Sequence, residues 1–245
     1  MILLISSLKD KIFFMNKTIR QTEILYFCNM KYIDFHNHKQ NSDNKIISVR
    51  NIRLEHDMEL PEFDSPFSMG LHPYDIKHDT DINLLDKIKI DNNLFAIGEC
   101  GFDKNISLPY EIQKPFFEKQ ITISENFNKP LIIHCVGYFN EIMDISKSTQ
   151  HSQQWIIHGF SGHRQLAFQL IDSGFMLSFG ASLFNDETKS VNAFKEIPAH
   201  SFFLETDESN KTIQEIYKRA AQLRNIKIEN LKQNIFNNFK TLFKQ

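Results

Sequence analysis

The sequence predicts an α/β fold of the TIM type, a (β/α)8 barrel, and three observations carry that expectation. Eight short β-type segments follow one another along the chain, longer helical stretches separate most of them, and five segments end in a residue able to ligate a metal. The 245 residues suffice for one such domain, since single barrels commonly need about 250. Alternation alone also fits an open doubly wound sheet. The polar strand ends favour the barrel, in which all C-terminal strand ends meet at one mouth.

The β-type segments are 31–37, 46–53, 66–71, 94–99, 130–135, 153–158, 174–180 and 201–206. The second and third are the least defined, because no convincing helix separates them. "YEIQKPFFEKQITISENFNK" (110–129) reads as a helix with Phe116, Phe117, Ile121 and Ile123 as its apolar positions, and Pro115 marks its first turn or a kink. "HRQLAFQLIDSG" places Leu166, Leu170 and Ile171 on one face and ends at Gly174. Segments 210–224 and 228–243 read as two closing helices. Residues 1–29 are mixed in character and are expected to form an extension outside a single domain spanning 30–245.

Hydrophobic residues make up 41% of the chain and charged residues 24%, an ordinary globular composition. A net charge of −2 gives no whole-protein electrostatic footprint for nucleic acid, although bound cations can supply positive charge locally. Cys28, Cys100 and Cys135 show no CxxC spacing, and an odd count argues against a disulfide framework. No apolar run approaches the roughly 20 residues a membrane span requires. "MILLISSLKD" lacks the basic start and cleavage site of a signal peptide. A cytoplasmic location is expected.

The chemistry-bearing residues cluster at strand ends. "YIDFHNH" ends in His36 and His38, which period-two alternation turns to one side. "LFAIGE" ends in Glu99, "PLIIH" in His134, "QQWIIH" in His158 and "SFFLETD" in Asp207. A lone strand histidine is commonly structural, and a lone carboxylate commonly caps a helix; five such strand ends together make a metal nest. Imidazole suits zinc, and carboxylate oxygens extend the choice to magnesium and manganese. Six donors exceed what one open catalytic site takes, whereas two divalent ions sharing a carboxylate would use them all. Such a pair suits hydrolysis of phosphodiesters or other esters.

In order along the chain, "DFHNH", "GLHP", "AIGECGFD", "PLIIH", "IHGFSG" and "LETD" resemble the TatD family of metal-dependent hydrolases, a family associated with deoxyribonuclease activity. Gln113, Phe117 and Gln120 in the helix after the third motif, and the closing "NFKTLF", fit the same resemblance. It implies a TIM-type barrel in which His36, His38, Glu99 and Asp207 hold one metal. Glu99 then bridges to a second, held by His134 and His158. Asp207 is the expected residue to orient or deprotonate the attacking water, with Glu99 as the shared catalytic carboxylate. Glu205 either supports a ligand or satisfies buried polar groups. His72 contacts substrate or a metal-bound water, or is structural before a proline turn. Asp103 is a wall residue of the site or a loop-stabilising carboxylate. His163 and Arg164 read as a solvated helix start, and Cys100 as a packed thiol.

The chain departs from the family pattern in two places. Cys135-Val136-Gly137 follows His134 where relatives often carry a basic residue, and "ESNKTIQEI" replaces the usual proline-rich loop after Asp207. Both touch substrate recognition rather than the metal donors. The expected activity is therefore a metal-dependent hydrolase with DNA as its substrate, exonuclease-like. One alternative is the same centre acting on a small phosphoester, carboxylic ester or cyclic amide; another is a catalytically silent binding protein. No obligate protein partner is evident.

Overall fold

The computed structural model describes residues 31–55, 58 and 63–242. The expected extension 1–29 lies outside the described residues, as does Phe243 of the closing motif. Eight parallel strands run in chain order in one sheet: β1 (Tyr32–Asn37), β2 (Ile46–Arg53), β3 (Phe67–Gly70), β4 (Leu94–Asp103), β5 (Leu131–Val136), β6 (Trp155–Ile157), β7 (Met176–Phe179) and β8 (Phe202–Leu204). Every expected strand forms. The main difference is β4, which continues four residues past Glu99 because its register shifts between Ile97 and Cys100.

Among the described residues six α-helices cover the later strands: α1 (Tyr110–Phe127), α2 (Phe139–Ser148), α3 (Arg164–Asp172), α4 (Lys189–Glu196), α5 (Ile213–Arg224) and α6 (Ile228–Thr241). Among the described residues no α-helix follows β1, β2 or β3; two 3-10 turns, Pro73–Asp75 and Ile82–Lys87, bridge β3 to β4. Much of the connection between β2 and β3 lies outside the described residues. Pro115 lies inside α1, one turn later than a first-turn position, and the helix continues through it. Asn128 and Asn225 take the left-handed conformation that ends α1 and α5, a role open to asparagine as well as glycine.

The sheet closes through a seam between β8 and β1 made largely by side chains. One bridge, Asn37 to Asp207, joins the strand ends, with the Asp207 N–H donating to His36 O at 2.9 Å. Lower down, the buried Tyr217 hydroxyl of α5 donates to Ile33 O and accepts from Ile33 N–H, each at 3.1 Å. The β1 edge is thereby satisfied without a full ladder.

Aromatic packing fills the opposite end of the barrel. Phe35 stacks on Phe203 at 4.0 Å and meets Phe95 edge-on, and Phe95 stacks on Phe239 of α6. The neighbouring Asn238 donates to Ala199 O and Phe202 O, both at 2.8 Å, fastening α6 to the start of β8. Those two contacts give "NFKTLF" its structural purpose. With its lower end packed, the barrel leaves the C-terminal strand ends as the place for polar side chains.

Candidate metal centre

Glu99 is the hub of the mouth. Its Oε1 lies 2.7 Å from His158 Nε2, 3.0 Å from His134 Nδ1 and 3.1 Å from His72 Nε2. Its Oε2 lies 3.4 Å from His36 Nε2 and 3.7 Å from His38 Nε2. Asp207 Oδ1 completes the second group, 3.3 Å from His38 and 3.9 Å from His36. All six residues expected as metal donors therefore converge, and His72 joins them. The register shift in β4 aims Glu99 inward, and glycines make it possible. Gly98 (φ +124°) and Gly101 (φ +137°) press against the backbone of β5, where a Cβ would collide with Ile132 O or His134 O.

A second ring of residues holds the hub in place. Asn51 of β2 donates from Nδ2 to Glu99 Oε2 at 3.1 Å, while its Oδ1 accepts from the Glu99 N–H at 3.0 Å. Sequence reading missed Asn51; an asparagine, a residue depleted in strands, inside "IISVRNIR" was the available signal. Asp103 does both things expected of it. Its Oδ2 lies 2.7 Å from His134 Nε2, and its Oδ1 accepts from the Asn105 N–H at 2.7 Å. Glu205 likewise combines its two roles, accepting from the Gly159 N–H at 2.6 Å and lying 3.7 Å from His158 Nδ1. It sits beyond the end of β8, which stops at Leu204 because the chain turns to reach a left-handed Asp207 (φ +52°).

The two glutamines of α1 tie the strand ends to the helix layer. Gln120 accepts from the Leu71 N–H and donates to Leu71 O, which seats His72. Gln113 treats Asp103 the same way, accepting from its N–H at 2.9 Å and donating to its carbonyl at 3.0 Å. His72 Nδ1 accepts from the Tyr74 N–H, so its proton sits on Nε2 and points at Glu99. His72 is thus a hydrogen-bond donor to the hub, distinct from the other imidazoles. His163 caps α3 and Arg164 pairs with Glu196 on the surface, both away from the mouth. Cys100 is buried with its thiol on Ile132 O, a packed group as expected.

Burial and charge set the protonation of the cluster. Burial opposes ionisation of Glu99, but His158 and His134 outweigh it and hold the carboxyl well below the usual range. Burial similarly opposes charge on Asp207, yet its bond to His38 and the nearby imidazoles lower it to about 2. His158 is raised well above its ordinary value, since Glu99 and Glu205 overcome the burial that disfavours its charge. Burial lowers His72, keeping it neutral.

The residues fit a divalent cation. His36 is fully buried with no hydrogen bond at either ring nitrogen, and His158 Nδ1 and Glu205 Oε2 are also without one. Buried polar atoms are rarely left this way, because desolvation then goes uncompensated. Imidazole nitrogens and carboxylate oxygens gather in groups of three, such as His36, Glu99 and His158, whose ligand atoms lie within 4.8 Å of one another, a donor set suited to zinc, manganese or magnesium.

Comparison with known proteins places the chain in a family. The TatD related DNase family matches residues 48–244. A Haemophilus influenzae protein named as an uncharacterized metal-dependent hydrolase is 28% identical over 200 residues, covering 72% of this chain and 76% of that one. Bacillus subtilis YabD, named likewise, is 30% identical over 154 residues, 60% of each chain. The crystal structure of YjjV, a TatD homolog from Escherichia coli, shares the fold with a TM-score of 0.72 at 19% identity, covering 87% of this chain and 98% of that one. The chain belongs to the TatD related DNase family.

Proposed function

We propose that this protein is a metal-dependent hydrolase that cleaves phosphodiester bonds in DNA, acting from chain ends. One observation carries the reading: a single buried carboxylate, Glu99, lies between two sets of imidazoles, with His36 and His38 at one oxygen and His134 and His158 at the other. The family match and the names of the relatives support hydrolysis with a metal. His36, His38, Glu99 and Asp207 would hold one divalent ion, and Glu99, His134 and His158 a second. Divalent ions in such a site acidify water and draw charge from a phosphoryl oxygen.

The chain's own residues do the rest. Asp207 is ionised at neutral pH and its side chain is 38% exposed, so it can accept a proton from an attacking water at the open side of the cluster. Asp103 and Glu205 fix the rings of His134 and His158 from outside. His72 donates to the hub and borders the substrate side. Both described cysteines are free, in keeping with a reducing cytoplasm, and no described helix is long and apolar enough to cross a membrane.

The test is digestion of an end-labelled single-stranded oligonucleotide in Mg²⁺ or Mn²⁺, with Asp207→Asn as control. Stepwise shortening that disappears in the variant is the expected result; an oligonucleotide left intact by metal-loaded protein sinks the DNase reading. The uncharged Cys135-Val136-Gly137 run after His134 favours a second reading, in which the same centre hydrolyses a small phosphoester, carboxylic ester or cyclic amide. A panel of such compounds assayed beside the oligonucleotide separates the two.

A further inference from the structure

Four large hydrophobic side chains are exposed among the described residues, and one of them, Tyr74, stands at the metal centre. It is 54% exposed, with its ring edge-on to His72 at 4.9 Å and 6.1 Å from His134. Its hydroxyl reaches Asp103, yet more than half of the residue is left open to solvent. The ring is not loosely held. The Tyr74 N–H donates to His72 Nδ1, and the next residue, Asp75, receives Arg53 through two bonds of 2.7 and 2.8 Å. The 3-10 turn is thus pinned on both sides, and the ring is presented with little conformational freedom left to lose.

Lys104 stands beside the segment that follows His134, its backbone N–H donating to Val136 O at 2.9 Å. It follows Asp103, the partner of His134, and its stem rests on Gly137, where a Cβ would come within 2.9 Å of Lys104 Cβ. The glycine therefore leaves room for the lysine. Lys104 is exposed, and no ion pair engages its ammonium among the described residues. A cation stands beside the segment after His134 even though that segment carries none itself.

We propose that Tyr74 and Lys104 form a nucleotide subsite flanking His134, with Tyr74 as a stacking platform for a base and Lys104 as the contact to a backbone phosphate. This combination is how single strands are held without sequence preference: aromatic faces take the bases and a cation tracks the backbone. The inference rests on the phosphodiesterase reading above, and names the part of the substrate that reading leaves open. It also supplies a reason why an uncharged segment after His134 is tolerated.

The test measures binding apart from cleavage. A fluorescently labelled thymidine oligonucleotide with phosphorothioate linkages is titrated with the Mg²⁺-loaded protein, and cleavage of the ordinary oligonucleotide is assayed separately. Tyr74→Ala is expected to weaken binding about tenfold, while Tyr74→Phe stays within about twofold of wild type because it keeps the aromatic face. Lys104→Ala is expected to lower the slope of log affinity against log salt by about 0.7. Equal losses in the phenylalanine and alanine variants would assign Tyr74 to the hydrogen bond of its hydroxyl with Asp103 and overturn the platform. A wild type that does not bind, or alanine variants that bind as well as wild type, would overturn the subsite. Intact binding without cleavage of the ordinary oligonucleotide would uphold the subsite and refute the DNase reading instead.

Discussion

The Asp34 carboxylate holds Thr206 by both of its oxygens, accepting from the backbone N–H at 2.8 Å and from the hydroxyl at 2.7 Å. Asp34 belongs to β1 and is 2% exposed, whereas Thr206 sits between Glu205 and Asp207 just past β8. The clasp joins the first strand to the last and fixes the segment that carries Asp207. Asp34→Ala should destabilise the fold by about 1–3 kcal/mol, the cost of leaving buried partners unsatisfied. Asp34→Asn keeps one acceptor and gains a donor for the hydroxyl, so it should recover most of that loss. Urea denaturation of the three proteins decides the matter, and an alanine variant as stable as wild type would show that the clasp contributes nothing.

Tyr217 does for the lower half of the seam what Asp34 does for the upper. Its hydroxyl engages both backbone groups of Ile33, and removing that one oxygen orphans a buried N–H and a buried carbonyl. Tyr217→Phe should therefore cost about 1–3 kcal/mol despite its nearly unchanged volume. Denaturation midpoints measure this directly. A loss below about 0.5 kcal/mol would mean that water replaces the hydroxyl and that the seam is open.

The residues that converge at the mouth were legible because each of them ends an apolar segment, and barrel geometry brings such ends together. His36, His38, Glu99, His134, His158 and Asp207 needed no more than that pattern. The supporting residues were harder to read. Asn51 is one of four polar residues in β2, and its bonds to Glu99 arise only when β2 and β4 are laid two strands apart. The dual work of Asp103 depends on β4 continuing past Glu99, which glycine-permitted irregularity achieves and periodicity cannot reveal. The seam was equally hidden, since Tyr217 and Ile33 are 184 residues apart. Gln113 and Gln120 stood out by resemblance alone; their amides on strand ends now supply the physical cause.

Glu125 of α1 carries a pH-dependent contribution. Its carboxylate accepts from the Ser152 and Gln153 N–H groups at 3.0 and 2.9 Å and from the Ser152 hydroxyl at 2.7 Å. Partial burial opposes its charge, but these bonds prevail and lower its pKa. A depressed folded-state value means the stabilisation is complete above the unfolded carboxyl pKa of about 4.3 and is lost as pH falls through the folded one. Glu125→Gln should therefore lower Tm at pH 7 by a few degrees at most, since the group is largely exposed. The gap should narrow as pH falls below the unfolded value. Melting curves across an acid pH series test it, and a gap that persists undiminished at the acid end would assign the effect to packing.

Glu205 lies behind His158, and its removal should weaken metal binding without deleting a proposed ligand. Loss of a group that orients a ligating histidine typically costs about 10–100-fold in affinity. Glu205→Ala should show that loss in competition with a chromophoric chelator. Glu205→Gln should lose less, because its amide oxygen still accepts from the Gly159 N–H. Wild-type affinity in both variants would confine Glu205 to backbone satisfaction.

Glu99 and Asp207 make different demands on the metal, and thermal stability can tell them apart. Ligand binding to the folded state raises stability by about 2.7 kcal/mol at a concentration one hundred times Kd. In wild type, adding Zn²⁺ or Mn²⁺ to chelator-treated protein should raise Tm accordingly. Glu99 touches both sets of imidazoles, so Glu99→Ala should abolish the rise altogether. Asp207 touches His36 and His38 and leaves the His134 side complete, so Asp207→Asn should keep part of it. An undiminished rise in Glu99→Ala would remove that carboxylate from the centre of the site. Equal abolition in both variants would mean that the two sets of donors bind as one, with a single ion drawn between them.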